Sequence, residues 1–235
     1  MNKRNISLSV CVPAFNEEEN IEEAVMDLIS VLSASVERFE IIIVDDASID
    51  STLKIATRLS ENIEQVKVLR HIKNQGIGAC YRNALSVAEC EYFTWFPSDH
   101  ENYAKEIADC VPHLKNNCIV TSHHLEHDRR PVFRKMLSRL YTWILNKSFG
   151  MNLKYYNGLT IFPVKVLRSV SLAAKGFAFS AESIIHSAKL GCEVVELSAP
   201  LRGRNSGKSK ALSLSSILRM CKDYRFIFSK RKKLL

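Results

Sequence analysis

Four groups of residues have types and spacings that could do chemistry. Asp45-Asp46 closes the apolar run Glu40-Ile41-Ile42-Ile43-Val44 and opens the polar stretch Ala47-Ser48-Ile49-Asp50-Ser51-Thr52. Adjacent carboxylates repel and each is costly to bury. One is expected to meet solvent or a ligand hydroxyl while the other caps the next helix with help from Asp50 or Ser51, and capping alone explains the pair equally well. Asp99, with Glu101 two residues on, follows the run Tyr92-Phe93-Thr94-Trp95-Phe96. Two carboxylates at a strand end suit a hard cation, Mg²⁺ or Mn²⁺, that keeps positions open for phosphate; an exposed acidic turn is the plainer account. Glu182 follows Phe177-Ala178-Phe179-Ser180 and is a candidate general base if its apolar surroundings raise its pKa. Its plainer role is to stabilise a helix N-terminus. Arg202-Gly203-Arg204-Asn205-Ser206-Gly207-Lys208-Ser209-Lys210 joins four cations to flexible backbone. That combination suits pyrophosphate, although the spacing is not that of a Walker A loop. His123, His124 and His127 lack the Cys or acid spacing of a zinc site, and a solvated loop over 123–131 is expected.

The elements that must position these residues are legible as alternating strands and helices. Ser7-Leu8-Ser9-Val10-Cys11-Val12 reads as a first strand stopped by Pro13. Asn16 is placed to cap a helix whose apolar stripe is Ile21, Ala24, Val25, Leu28, Val31 and Leu32. Further strands are expected at 40–44, 66–69, 92–96 and 118–121, with helices at 53–59, from the Asn74-Gln75-Gly76-Ile77-Gly78 turn to Ala88, and over 104–115. The 40–44 run is apolar on both faces, as a buried parallel strand must be. The order βαβαβαβ with short connections predicts an α/β domain with a largely parallel central sheet flanked by helices. Ligands of such sheets bind beyond the carboxyl ends of the strands, which here means the loops 13–17, 45–52 and 97–101. Helices over 132–147 and 181–190, and strands at 160–163 and 193–197, complete the chain.

The 235 residues suit one such domain, and 46% apolar content suffices for a core. The seven cysteines are scattered, odd in number and without a C-x-x-C pair, so reduced buried thiols are expected. The net charge of +8 is concentrated: residues 202–235 carry eleven Lys or Arg and one acid, a balance of +10, against −2 for residues 1–201. From Leu212 to Phe228 the apolar residues recur at helical spacing, and Ser229-Lys230-Arg231-Lys232-Lys233 follows. A basic amphipathic helix with a cationic tail can lie on an anionic membrane, or pack on the domain. Two units are therefore expected, 1–211 as the α/β domain and 212–235 as a basic amphipathic C-terminal helix and tail. No apolar run approaches the ~20 residues that cross a bilayer, and Met1 to Asn5 lack the features of a signal peptide. A cytoplasmic chain, peripheral on the inner face of a membrane, is expected. Nucleic acid is not expected as a partner, because no aromatic-rich nucleic-acid motif accompanies the basic tail.

The order of these motifs resembles glycosyltransferase family 2, and within it the branch of dolichyl-phosphate mannosyltransferase and related polyprenyl-phosphate sugar transferases. Val12-Pro13-Ala14-Phe15-Asn16-Glu17-Glu18-Glu19-Asn20 is similar to the family's first nucleotide loop, Val44-Asp45-Asp46-Ala47-Ser48-Ile49-Asp50-Ser51-Thr52 to its second, and Asn74-Gln75-Gly76-Ile77-Gly78-Ala79 to the next turn. The resemblance implies a GT-A fold and an inverting hexosyltransferase that uses a nucleotide diphosphate sugar. It implies that Pro13, Phe15, Glu17 and Asp46, with Asp45 beside it, serve the donor nucleoside, and that Arg204 and Lys210 grip the donor phosphates. Asp99 matches the second acid of the family's D-x-D motif and Glu101 its following polar metal ligand. Arg134, Ser138 and Asn146 fall on the helix that lies near a polyprenyl-phosphate acceptor in this branch. Asp99 or Glu182 would serve as base for a hydroxyl acceptor. The chain departs from the pattern where Pro97 replaces the first D-x-D acid, where His123 replaces an arginine, and at Tyr155-Tyr156-Asn157-Gly158. A lipid phosphate or a cell-surface glycan precursor is the implied acceptor. The alternative reading is a non-catalytic nucleotide-sugar-binding or membrane scaffold protein.

Overall fold

The computed structural model describes residues 3–99, 102–123 and 132–199, together with Tyr224, Arg225 and Phe228. Strand β1 (Arg4–Ala14) leads to α1 (Ile21–Ser35), β2 (Val36–Asp45), α2 (Thr52–Asn62), β3 (Val66–Arg70), α3 (Ile77–Val87) and β4 (Tyr92–Trp95). The second half holds α4 (Lys105–Cys110) with a 3₁₀ turn at Val111–His113, β5 (Cys118–His123), α5 (Val132–Phe149), β6 (Thr160–Pro163), α6 (Val164–Ser169), α7 (Ala178–Lys189) and β7 (Glu193–Ser198).

The seven strands form one sheet in the order β3-β2-β1-β4-β6-β5-β7. All neighbours are parallel except β6, which runs antiparallel to both β4 and β5. The chain adds β2 and β3 on one side of β1, then returns to place β4 on the other. This reversal makes the ends of β1 and β4 a topological switch point, where the loops leaving the strands diverge and a crevice opens.

Alternation along the central strands explains why they read as continuous apolar runs. Val10, Val12, Ile41 and Ile43 pack on one face with Ile21, Ala24 and Leu28 of α1, and with Ile107 of α4. Cys11, Ile42 and Val44 pack on the other with Tyr81 and Ala84 of α3 and Ile184 and Ile185 of α7. Each valine, leucine or isoleucine among them, taken fully out of water, contributes about 1.5–3 kcal/mol. The described cysteines, Cys11, Cys80, Cys90, Cys110, Cys118 and Cys192, are free and buried, as expected.

The strand boundaries differ from expectation in instructive ways. Pro13 does not stop β1, which continues to Ala14 and stays in register with Val44 and Asp45. The ladder to β4 ends at Cys11, whose carbonyl takes the Phe96 N–H. Pro13, facing the same side two residues on, therefore lacks its N–H where no ladder bond is required. Asn16 does not cap α1: the helix starts five residues later, Asn20 is its N-cap, and Asn16 adopts a left-handed φ of 56°. The short helix α6 was not expected; it buries Val164 and Leu167. Of the C-terminal unit, Tyr224, Arg225 and Phe228 have helical backbone, and the remainder of 212–235 lies outside the described residues.

Candidate active site

The loops after β1 and β2 are stitched to each other residue by residue. The Asn16 N–H donates to Ser48 Oγ at 3.0 Å, and Asn16 Oδ1 accepts from the Ile49 N–H at 3.0 Å. The Glu17 N–H donates to Thr52 Oγ1 (2.8 Å) and the Glu18 N–H to Asp50 Oδ2 (3.3 Å), while Glu18 Oε2 accepts from the Ser51 N–H (2.9 Å). The left-handed turn at Asn16 is what lets its side chain and its own N–H bond the same stretch. Burial alone would raise Asp50, but bonds from the Thr52 hydroxyl and N–H and from the Glu18 N–H lower its pKa. Phe15 is partly exposed, and Pro13 and Glu17 are half-buried.

Both members of the acidic pair are buried, and they do different things. Asp45 is fully enclosed and accepts from the Ser48 N–H with both oxygens, at 3.3 and 3.4 Å. This closes a tight turn in which Ala47 takes a φ of 64°. Asp46 is a hub. Its Oδ1 accepts from the Gln75 N–H at 2.8 Å and lies 2.6 Å from His71 Nδ1, and its Oδ2 accepts from the Gly76 N–H at 2.8 Å. The Asn83 amide nitrogen faces His71 Nε2 at 2.8 Å; with that nitrogen donating, Nδ1 carries the proton shared with Asp46. Asp46 thereby fixes the end of β2, the residue after β3 and the start of α3 together. The expected division, one carboxylate for a ligand and one for a cap, becomes one carboxylate for a turn and one for a junction.

Among the described residues, Asp46, His71 and Cys80 bring three metal-capable atoms within 4.8 Å of one another. Hydrogen bonds already account for the carboxylate and the imidazole. Burial, and then the nearby Asp46 charge, push the Cys80 thiol up to about 12, so it stays protonated. This mixed nitrogen, sulfur and oxygen set is unlike the all-oxygen set that Mg²⁺ or Mn²⁺ prefers.

The end of β4 reaches the same edge. Ser98 Oγ donates to the Pro13 carbonyl at 2.8 Å, while the Asp46 N–H donates to the next carbonyl, Ala14, at 2.8 Å. The Asp99 and Asp46 loops thus flank the end of β1 from opposite sides, and Asp99 is half-buried there. Glu101 lies outside the described residues, as do Arg204 and Lys210. Behind Asp99, the buried Glu106 accepts from Ser122 Oγ and, at 3.0 Å, from Asn102 Nδ2. Sequence reasoning missed Glu106, because an acid in the first turn of a helix looks like ordinary dipole compensation.

Glu182 is fully buried in α7, and one of its oxygens takes the N–H groups of Ala173 and Ala174 at 2.9 Å each. The same loop is gripped from α3: the Gly78 N–H donates to the Lys175 carbonyl (3.1 Å) and Arg82 Nη1 to the Ala174 carbonyl (2.6 Å). A Cβ on Gly78 would lie 2.1 Å from the Ala174 oxygen, so only glycine permits this approach. The expectation of a general base at Glu182 is therefore corrected. A carboxylate with no exposed surface, engaged by two backbone amides, holds the 173–176 loop against α3.

In α5, which packs in the same core layer as α3 and α7, Asn146 is also an inward residue. Its Nδ2 donates to the Leu153 carbonyl (2.8 Å), and its Oδ1 accepts from the Leu153 N–H (3.1 Å) and the Tyr156 hydroxyl (2.7 Å). It fastens the 151–156 segment to α5 and does not stand as an open acceptor contact. Ser138 is half-buried on the same helix; the side chain of Arg134 lies outside the described residues. His123 is no part of a solvated loop: it is the last residue of β5, buried, with Lys154 Nζ 3.5 Å from its Nε2. His124 and His127 lie outside the described residues.

A largely parallel sheet with a switch point, fixed acidic loops at its carboxyl edge and a returning antiparallel strand give the chain a GT-A-type fold. Residues 9–177 match the family described as Glycosyl transferase family 2, and the chain belongs to that family. It is 25% identical over 240 residues to dolichyl-phosphate beta-glucosyltransferase of Dictyostelium discoideum, covering 93% of this chain and 73% of that one. It is 25% identical over 223 residues to dolichol-phosphate mannosyltransferase of Pyrococcus furiosus, covering 91% of this chain but only 62% of the relative. The fold is shared with glucosyl-3-phosphoglycerate synthase from Mycobacterium tuberculosis. Its complex with uridine diphosphate superposes with a TM-score of 0.71 at 19% identity, over 94% of this chain and 80% of that one. The same synthase has also been crystallised with Mn²⁺, uridine-diphosphate-glucose and phosphoglyceric acid.

Proposed function

We propose that the protein is an inverting hexosyltransferase that moves a sugar from a nucleotide diphosphate sugar to a polyprenyl-type lipid phosphate on the cytoplasmic face of a membrane. The observation that carries this reading is the stitched junction of the loops after β1 and β2 at the switch point, with Asp46 as its hub. A rigid edge of this kind suits a nucleoside of fixed shape. Pro13, Phe15 and Glu17 would line it, with Asp45 and Asp46 as its support. Arg204 and Lys210 would bind the diphosphate.

Asp99 follows the end of β4, and Asp99 and Glu101 would supply the oxygen donors that Mg²⁺ or Mn²⁺ prefers. When bound there, the cation would neutralise charge on the leaving diphosphate. A phosphate oxygen of the acceptor forms the new bond to the anomeric carbon from the face opposite the leaving group. The bond from that carbon to the diphosphate oxygen breaks, and the diphosphate leaves with the electron pair. An acceptor phosphate is already ionised and needs no general base, which agrees with a Glu182 committed to backbone amides. Arg134 and Ser138 are the acceptor-side candidates on α5, with Asn146 acting through the 151–156 segment it fastens.

The test is transfer from a panel of uridine- and guanosine-diphosphate sugars to a short-chain polyprenyl phosphate, with Mn²⁺ and with chelator. Wild type should turn over one donor in the presence of Mn²⁺, and Asp99→Asn should lose at least ~100-fold in kcat, the scale on which electrostatic stabilisation of a leaving group acts, with its unfolding temperature kept. Donor binding without turnover would overturn the enzymatic reading in favour of a non-catalytic nucleotide-sugar-binding protein; neither binding nor turnover would sink both.

A further inference from the structure

Helix α5 presents an apolar stripe to the outside. Val132, Met136, Leu140 and Trp143 are 72%, 63%, 51% and 59% exposed. Their spacing of four, four and three residues keeps them within about 80° of one another at ~100° per residue. Tyr141, Leu145 and Phe149, buried in the second core, project from the opposite side of the same helix. The exposed stripe is therefore not a misplaced core face: the inward face is already filled, and a second apolar face remains.

The charge on α5 is one-signed. Its eighteen residues hold Arg134, Lys135, Arg139 and Lys147 and no Asp or Glu. Arg139 and Lys147 are exposed and border the stripe by the same helical rotation. At the end of the helix, Ser148 Oγ and the Tyr224 hydroxyl are 3.0 Å apart, and Tyr224 stacks on the exposed Phe228 with ring centroids 5.9 Å apart. This contact ties Tyr224 to the last turn of α5. Ser229-Lys230-Arg231-Lys232-Lys233 follows Phe228 directly, so its cations attach within about 17 Å of that point, the reach of five extended residues.

We infer that the outer face of α5 is a docking surface for an anionic lipid bilayer, with Val132, Met136, Leu140 and Trp143 entering the headgroup–acyl boundary. Apolar side chains bordered by cations, without an acid on the helix, complement a negatively charged interface. Four side chains in a single row fall well short of the ~800 Å² per partner that a stable protein interface buries. A row that size with a polybasic neighbour does match the two-signal rule for reversible membrane binding. The inference deepens the lipid-acceptor reading by naming the surface that meets the lipid, yet it can be tested without donor or acceptor.

The test uses the full chain with sucrose-loaded vesicles of phosphatidylcholine alone and of phosphatidylcholine mixed with phosphatidylglycerol. Wild type should co-sediment with the mixed vesicles and not with the neutral ones. Trp143 emission should shift to the blue on binding, and Trp143→Phe should remove that shift while Trp95 stays unchanged. Met136→Ser/Leu140→Ser/Trp143→Ser should bind the mixed vesicles at least ~10-fold more weakly, since it removes the apolar surface that enters the interface, with an unchanged unfolding temperature. Equal binding by wild type and the triple variant would overturn the proposal, as would no binding by either. A dimer in solution that the triple variant abolishes would also overturn it and assign the stripe to a second copy. If vesicle binding fails while sugar transfer to a soluble acceptor succeeds, the surface is wrong and the enzyme reading stands.

Discussion

The loops at the ends of β1 and β2 and the region around α5 handle exposure in opposite ways. At the loops, backbone N–H groups that would otherwise face water are paired across the gap, and two carboxylates are buried to hold the turn and the junction. At α5, Asn146 fastens the 151–156 segment, while Val132, Met136, Leu140 and Trp143 are left exposed on the outer side. The first region is pre-organised, which lowers the ordering cost of binding a ligand of fixed shape. The second offers area without fixed geometry, which suits a fluid surface. The molecule thus has a rigid polar edge at β1 and β2 and an exposed apolar face on α5, and substitutions should separate the two.

The largest effect is expected at Asp46. Asp46→Ala leaves the Gln75 and Gly76 N–H groups and His71 Nδ1 without their shared acceptor. An unpaired buried donor costs about 1–3 kcal/mol, and entry of water recovers part of that. A net loss of about 3 kcal/mol in urea unfolding is expected, with loss of nucleotide-diphosphate binding by calorimetry and unchanged vesicle binding. If the variant unfolds at the wild-type urea concentration, Asp46 is not the hub and the contrast between the two regions collapses.

Asn146 is the matching test on the other side. Asn146→Ala removes three hydrogen bonds between α5 and the 151–156 segment. Net bonds of this kind contribute about 1 kcal/mol each and are not additive, so a loss of about 2 kcal/mol is expected. Nucleotide-diphosphate affinity should stay within a factor of about two, because the partners of the residue, Leu153 and Tyr156, are not among the partners of either donor loop. A large loss of nucleotide affinity would show that the two regions are one unit.

These two residues also show what the sequence could and could not reveal. The central strands were legible because burial on both faces leaves only apolar residues, and that pattern has few other causes. The antiparallel placement of β6 left no such trace: Thr160-Ile161-Phe162-Pro163 reads as a strand of either direction. The start of β2 was hidden because Glu37 and Arg38 are exposed and interrupt the apolar run that Val36 begins. The acidic pair was found from its type and its position after a strand. Its partners were not, since His71 and Asn83 lie 25 and 37 residues beyond Asp46 and nothing local marks either. Asn146 was noticed as an acceptor contact through resemblance alone. Its inward direction depends on the 151–156 segment folding back, which periodicity along α5 does not encode.

The smallest effect is expected at Ala47, and it probes the rigid edge without removing any contact. Ala47 has a φ of 64°. A side chain at that φ brings Cβ near the following carbonyl and costs roughly 1–2 kcal/mol relative to the right-handed region. Glycine relieves that strain but gains backbone freedom in the unfolded chain, which takes back about 0.4–1 kcal/mol. Ala47→Gly is thus expected to stabilise the protein by about 0.5 kcal/mol, a rise of one or two degrees in Tm for a domain of this size. The Ser48 N–H bonds to Asp45 and the stitching to Asn16 should persist, so nucleotide affinity should not fall. A destabilised variant with weaker nucleotide binding would mean that the stiffness of alanine at this turn, and not only the hydrogen bonds around it, keeps the edge in its binding shape.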